Sequence, residues 1–279
     1  MSRLANSWEL VKESWKVLRA DKELLVFPLV SLVGTVIVTI AFMIPIFLAR
    51  LFESVSSGGS GQITFYVLVF IFYVVQYTVI FYCNSALVGA AMIRLKGGNP
   101  TLRDGFRIAS EHFGAIVGYA IISSTVGMIL RAISERGLIG QIVSGLIGFA
   151  WNVATFIAVP ILVVEGVGPI EAIKRSGAYL KKTWGERIIG SAGIGLVFGL
   201  IMIVLFVIGC PLLFALISTR SIGLMAIGVL VFVTVLIGLG LISSALTGIY
   251  TAAVYRYAAD GATDTFFNPN LVQNAFRQK

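Results

Sequence analysis

Six long apolar runs, with basic residues crowded into every second gap, constrain this chain more than any other feature. The runs fall at residues 24–48, 63–93, 114–130, 138–164, 188–217 and 222–255. A helix needs about 20 apolar residues to cross the hydrocarbon core, and in lipid each backbone polar group must find its partner within the protein. The expected fold is therefore all-α: an integral membrane protein of six transmembrane helices. The third run is short and the fifth and sixth are long, so tilt or interfacial extension is expected. With 58% apolar and 12% charged residues over 279 positions, the chain carries too little charge to cover a soluble surface. The first run follows a segment rich in charge and tryptophan, with no small-residue cleavage pattern after it. That segment is expected to stay in the mature protein.

Charge sets the expected orientation. Of the 21 lysines and arginines, seventeen lie before the first run, in the second and fourth gaps, or after the last run. The remaining four are Arg50, Arg131, Arg136 and Arg220. The positive-inside rule then places both termini in the cytoplasm, and a prokaryotic plasma membrane is the expected location. The formal net charge of +8 belongs with the anionic inner leaflet. No aromatic-interleaved basic motif points to nucleic acid.

The chain repeats within what reads as one membrane domain over 1–279. Val11–Lys16 aligns with Leu102–Arg107 at a shift of 91, and a further shift of 71 brings Lys12 onto Lys174, Ser14 onto Ser176 and Leu18 onto Leu180. The ends of the second and sixth runs, Ala90-Ala91-Met92-Ile93-Arg94 and Ala252-Ala253-Val254-Tyr255-Arg256, match at 162, the sum of those shifts. The units are 1–98, 99–167 and 168–260, each an amphipathic helix followed by a helical hairpin, with a loose tail at 261–279. All three share one orientation, so the repeat is parallel.

Each amphipathic segment shows an apolar stripe at helical spacing: Leu4, Trp8, Val11, Trp15 and Leu18; Leu102, Phe106, Ala109 and Phe113; Ile170, Ile173, Gly177, Leu180 and Trp184. Such helices lie in the headgroup region with aromatic residues at the boundary. Trp8, Trp15, Phe106, Phe113 and Trp184 are the expected anchors. Lys12, Lys16, Arg19, Arg103, Arg107, Lys174, Arg175, Lys181, Lys182 and Arg187 are the expected contacts to lipid headgroups. The plain alternative is that these helices tie consecutive hairpins together. A collar of three could also bind an unidentified protein partner.

Catalytic chemistry is sparse. No ionisable residue lies near the middle of a run, where one would mark a proton or substrate path. His112 is the sole histidine, no phosphate-binding or nucleophile-elbow motif is present, and Cys83 and Cys210 read as buried apolar thiols. No enzyme activity, cofactor or metal is expected. The polar residues within runs are Gln76, Asn84, Asn152, Thr155, Ser243 and Ser244. They suit interhelical hydrogen bonding or the lining of a cavity among the even-numbered spans. Pro45, Pro160 and Pro211 are expected to kink their helices.

Leu24-Leu25-Val26-Phe27-Pro28, the stretch from Glu165 to Ser176 and Lys182-Thr183-Trp184-Gly185 resemble an uncharacterised family of six-span prokaryotic membrane proteins. The resemblance implies a fold and no activity. More distantly, the repeat resembles the membrane domain fused to some glycerophosphodiester phosphodiesterases, whose catalytic barrel has no counterpart in this sequence. Two readings follow: a membrane-organising or lipid-interacting protein acting through its amphipathic helices, or a channel or facilitator with a polar cavity among the even-numbered spans.

Overall fold

The computed structural model describes residues 3–48, 60–184, 193–218 and 221–260. Ten α-helices run through these residues: α1 (Arg3–Ala20), α2 (Val26–Leu48), α3 (Ser60–Leu95), α4 (Leu102–Glu111), α5 (Phe113–Ser134), α6 (Leu138–Ala154), α7 (Ala158–Val164), α8 (Pro169–Trp184), α9 (Gly193–Ser218) and α10 (Ile222–Asp260). A short 3₁₀ turn, Lys22–Leu25, leads into α2. No strand occurs among the described residues.

Six helical segments are long and apolar enough to cross a membrane, which makes this a multi-pass membrane protein: Lys22–Phe47, Gln62–Leu95, Phe113–Ser134, Leu138–Val164, Val197–Leu216 and Ile222–Arg256. The third is longer than its apolar run. Helix α5 continues past Leu130 because Arg131 pairs with Glu135 one turn on, at 3.0 Å, at the polar end of the span. Pro45 and Pro211 lie inside unbroken helices. The fourth span is in two pieces, and the break comes at Thr155–Ile157, ahead of Pro160. Restarting the helix at Ala158 puts the proline in a first turn, where its missing N–H costs nothing.

The buried core sits at one end of the bundle, the end rich in lysine and arginine, hereafter the basic end. Helices α3 and α10 have 36 and 39 residues, roughly 54 and 58 Å at 1.5 Å per residue. Both exceed the ~30 Å hydrocarbon core. Their basic ends, Ala86–Leu95 and Ala245–Tyr255, are buried along most of their length, as is Ile157–Val163 beside them. By contrast, Ile203, Val207, Ile208, Phe214, Ile227 and Leu230 on α9 and α10 are exposed, as a surface solvated by lipid requires.

The three amphipathic helices α1, α4 and α8 pack into this core. Helix α1 packs on α9 and α10, α4 on α3, and α8 on α6 and α7. Their docked faces match the apolar stripes expected from sequence in part: Val11, Leu18, Ala109 and Leu180 are stripe members and are buried. The buried residues are Val11, Ser14, Val17 and Leu18 on α1, Gly105 and Ala109 on α4, and Ala172, Ser176 and Leu180 on α8. Trp15, Phe113 and Ile170 are exposed, at 43%, 49% and 61%. The reason is steric: small residues let a helical backbone approach a neighbouring helix, and the large side chains of Trp15, Phe113 and Ile170 are left on the flanks. Gly105 shows this most sharply. A Cβ there would lie 2.7 Å from the Ala86 carbonyl oxygen and strike the Phe27 ring.

Candidate functional site

A cavity of about 500 Å³ opens between α2, α3, α9 and α10, next to the buried core. Its walls come from two helical hairpins. Within each hairpin the helices pack closely, α2 on α3 and α9 on α10, whereas α2 and α9 barely touch across the mouth. The opening therefore faces sideways, between two helices that present apolar side chains outward. Pro28 and Ser31 of α2 stand on one side of it and Phe198, Gly199 and Met202 of α9 on the other, with Asn84 of α3 and Ser243, Ser244 and Gly248 of α10 also in the lining.

Polarity inside the cavity is neutral. Ser31, Asn84, Ser243, Ser244, Thr247 and Thr251 contribute hydroxyls and one amide, and among the described residues no Asp, Glu, Lys, Arg or His lines it. The two threonines are committed to their own helix, donating to the carbonyls of Ser243 and Thr247 at 2.7 Å. Ser31 pairs with the Cys83 thiol. Gly240 and Gly199 have nothing within 4 Å of where a side chain would begin, so their bare backbones widen the space.

The six polar positions marked in the sequence separate in space. Asn84, Ser243 and Ser244 converge on this cavity. Gln76 lies higher on α3 with its Oε1 buried and unpartnered among the described residues. Thr155 donates to the Trp151 carbonyl at the helix break. Asn152 is exposed on α6, so it lines no common cavity with Asn84. The break turns the end of the fourth span away from the helical phase that sequence spacing assumes.

A second polar cluster ties the basic end together around Glu165, the residue after α7. Arg175 of α8 donates to its Oε2 at 2.6 Å, and the phenols of Tyr179 and Tyr255 donate to Oε1 at 3.1 and 3.2 Å. Arg175 also donates to Glu171 at 2.9 Å. These two carboxylates hold the guanidinium well above its ordinary pKa, through hydrogen bonds first and charge second. Gly166, at φ +63°, turns the chain immediately after Glu165 and sets its direction. Nearby, Arg256 donates to the Leu95 carbonyl at 2.6 Å and Arg94 to the Ala20 carbonyl at 3.3 Å, so the arginines ending α3 and α10 cap neighbouring helices.

The expected headgroup residues also divide. Lys12, Arg19, Arg103, Lys174 and Lys181 are exposed. Lys16 pairs with Glu13 at 2.7 Å, and Arg107 with Asp104 at 3.2 Å. Asp104 completes a capping box with Thr101, whose hydroxyl and backbone N–H hold its carboxyl below the usual range. Arg175 is engaged by Glu165. Phe106 is partly buried against Phe27, ring centroids 5.1 Å apart. His112, between α4 and α5, donates through Nδ1 to the Ile108 carbonyl at 2.9 Å. The side chains of Trp8, Lys182 and Trp184, all of Arg187 and the tail at 261–279 lie outside the described residues.

Residues 63–265 match a family of unknown function, DUF6159. The chain belongs to that family. The DUF6159 match takes in α3 to α10, and with them the Glu165 cluster and three of the four cavity walls; α1 and α2 lie before it. No curated protein and no solved structure matches the chain. Among the described residues no group of His, Cys, Asp and Glu is placed to hold a metal ion.

Sequence reasoning missed Glu165 and Ser176. Glu165 reads as one more charge at the end of a span, and its partners lie 10, 14 and 90 residues away. Ser176 was visible as the repeat partner of Ser14, but its bond to Ile157 depends on where the helix breaks ahead of Pro160, and the proline alone does not fix that position.

Proposed function

We propose that this is a non-enzymatic lipid-interacting protein of a prokaryotic plasma membrane, with both termini in the cytoplasm. The observation that carries the reading is the sideways-opening cavity of about 500 Å³ with neutral polar walls. A pocket reached from the hydrocarbon core is supplied by molecules dissolved in that core. The closed packing of Ala86–Leu95, Ala245–Tyr255 and Ile157–Val163 at the basic end stands across any axial route, which weighs against a channel. Exposed Lys12, Arg19, Arg103, Lys174 and Lys181 suit the anionic leaflet at that end.

The architecture behind this reading is three parallel units of helix plus hairpin in cyclic order. Helix α4 docks on the last helix of the unit before it, α8 on that of the second unit, and α1 on that of the third. The aligned positions Ser14, Gly105 and Ser176 are all buried in these docking faces. Both facts support the repeat.

The cavity is tested by native mass spectrometry on protein extracted with its own lipids. Wild type is expected to retain a bound lipid that Gly240→Trp, which fills the cavity, loses. Retention unchanged in that variant would refute the site. Orientation is tested in a background lacking both cysteines. An impermeant maleimide should label Arg136→Cys in intact cells and Lys181→Cys only in opened ones; the reverse pattern would invert the topology.

A further inference from the structure

The cavity does not end at its mouth. A second hollow of about 500 Å³, almost wholly apolar, runs along the seam between α9 and α10 toward their far ends. It continues the same helix faces. On α9, Met202 lines the cavity, and Leu205, Gly209 and Leu212 follow at spacings of three and four. On α10, Leu239 lines the cavity, and Val235 and Phe232 follow in the groove. From Met202 to Leu216 the seam covers roughly 21 Å at 1.5 Å per residue, more than the ~15 Å depth of one leaflet's hydrocarbon.

We propose that cavity and groove together hold one amphiphile, with an uncharged hydroxyl-bearing headgroup in the cavity and an acyl chain along the α9–α10 seam. This rests on the lipid-binding reading of the cavity and names the ligand class. The headgroup is uncharged because, among the described residues, no carboxylate, amine, guanidinium or imidazole stands in the wall to compensate a charge taken out of water, and an uncompensated charge in such a site is expensive. It carries both a donor and an acceptor because Asn84 offers both and makes no protein hydrogen bond among the described residues. The adjoining Ser243 and Ser244 hydroxyls adapt to either role. A chain is required because the groove beyond the cavity is apolar, and it is a single chain because the groove is one seam between two helices.

The test is a binding titration of the purified full chain in detergent, read by native mass spectrometry, with three probes. They are 1-oleoylglycerol, 1-oleoyl-lysophosphatidic acid (the same chain and glycerol with a phosphate added) and 1-octanoylglycerol. Oleoylglycerol is expected to bind at least about tenfold tighter than its phosphorylated counterpart. Asn84→Leu is expected to weaken oleoylglycerol about tenfold. Val231→Trp, at an exposed groove position about 12 Å along α10 from Leu239 and so beyond an octanoyl chain, should weaken oleoylglycerol and leave octanoylglycerol unchanged. Equal affinity for the two oleoyl probes, or oleoylglycerol binding indifferent to both substitutions, would overturn the inference. Tighter binding of the phosphorylated probe that Gly240→Trp abolishes would overturn the neutral headgroup and leave lipid binding standing. Binding of every probe untouched by Gly240→Trp would remove both.

Discussion

The backbone N–H of Ile157 donates to Ser176 Oγ at 3.3 Å, so an amphipathic helix supplies the partner that a broken span has lost. Both residues are fully buried. With the hydroxyl removed, Ile157 keeps a buried N–H that no carbonyl of its own helix reaches.

Ser176→Ala is therefore expected to cost about 1–3 kcal/mol, the penalty of an unsatisfied buried donor. Ser14 occupies the aligned position on α1 and is equally buried, but its hydroxyl has no partner among the described residues. Ser14→Ala should be neutral or mildly stabilising. Thermal unfolding of both variants in one detergent decides the matter, and a larger loss in Ser14→Ala would contradict the assignment.

Gly105 admits no side chain, because the obstacle is partly backbone. The Phe27 ring can move aside, but the Ala86 carbonyl oxygen belongs to α3 and cannot. Gly105→Ala is expected to cost about 1–3 kcal/mol by overpacking. Adding Phe27→Leu should recover only a minor part of it. Full recovery in the double variant would show that the ring alone sets the limit.

How much of this was legible beforehand follows from which forces act locally. The six spans were legible because hydrocarbon thickness fixes their length, and their observed limits differ from the apolar runs by a few residues where both are described. The docking faces of α1, α4 and α8 were legible in part, through the buried stripe members Val11, Leu18, Ala109 and Leu180. Periodicity identifies Trp15 and Ile170 as members of an apolar stripe, but it does not say whether lipid or protein covers that stripe. Close backbone approach selected Ser14, Gly105 and Ser176 instead. The cavity was legible in part: Asn84, Ser243 and Ser244 share it, and Asn152 was lost to a helix break that changes the phase of the chain.

Asp21, at the end of α1, gives the stability a pH dependence. Burial raises its carboxyl above the usual range, against the opposing pull of the Glu23 backbone and the Arg94 charge. A folded pKa above the unfolded one means that ionised Asp21 weakens the fold at neutral pH. That loss fades as pH falls through the raised pKa and vanishes below the unfolded value. Asp21→Asn should therefore unfold at a higher temperature than wild type at pH 7.5, with the gap closing toward pH 4. A gap that widens on acidification would give the opposite sign.

Glu165 joins three helices, and its variants should rank by how many of its hydrogen bonds they remove. Its partners differ in worth. Arg175 is 41% exposed on its side chain, so water screens that pair and it adds little alone. Tyr255 is buried at 4% exposure, and its phenol has Glu165 as acceptor inside the core. Tyr255→Phe removes donor and demand together and should cost about 1 kcal/mol. Glu165→Gln keeps an acceptor oxygen for the phenols and should cost about the same. Glu165→Leu removes the acceptor that both phenols and Arg175 share, for an expected loss of roughly 2–3 kcal/mol. Combining Glu165→Leu with Tyr255→Phe should then cost less than the two separate losses added, because each single variant already loses the Tyr255–Glu165 hydrogen bond. Thermal midpoints of the four variants measure this directly, and simple additivity in the double variant would mean that Tyr255 does not depend on Glu165.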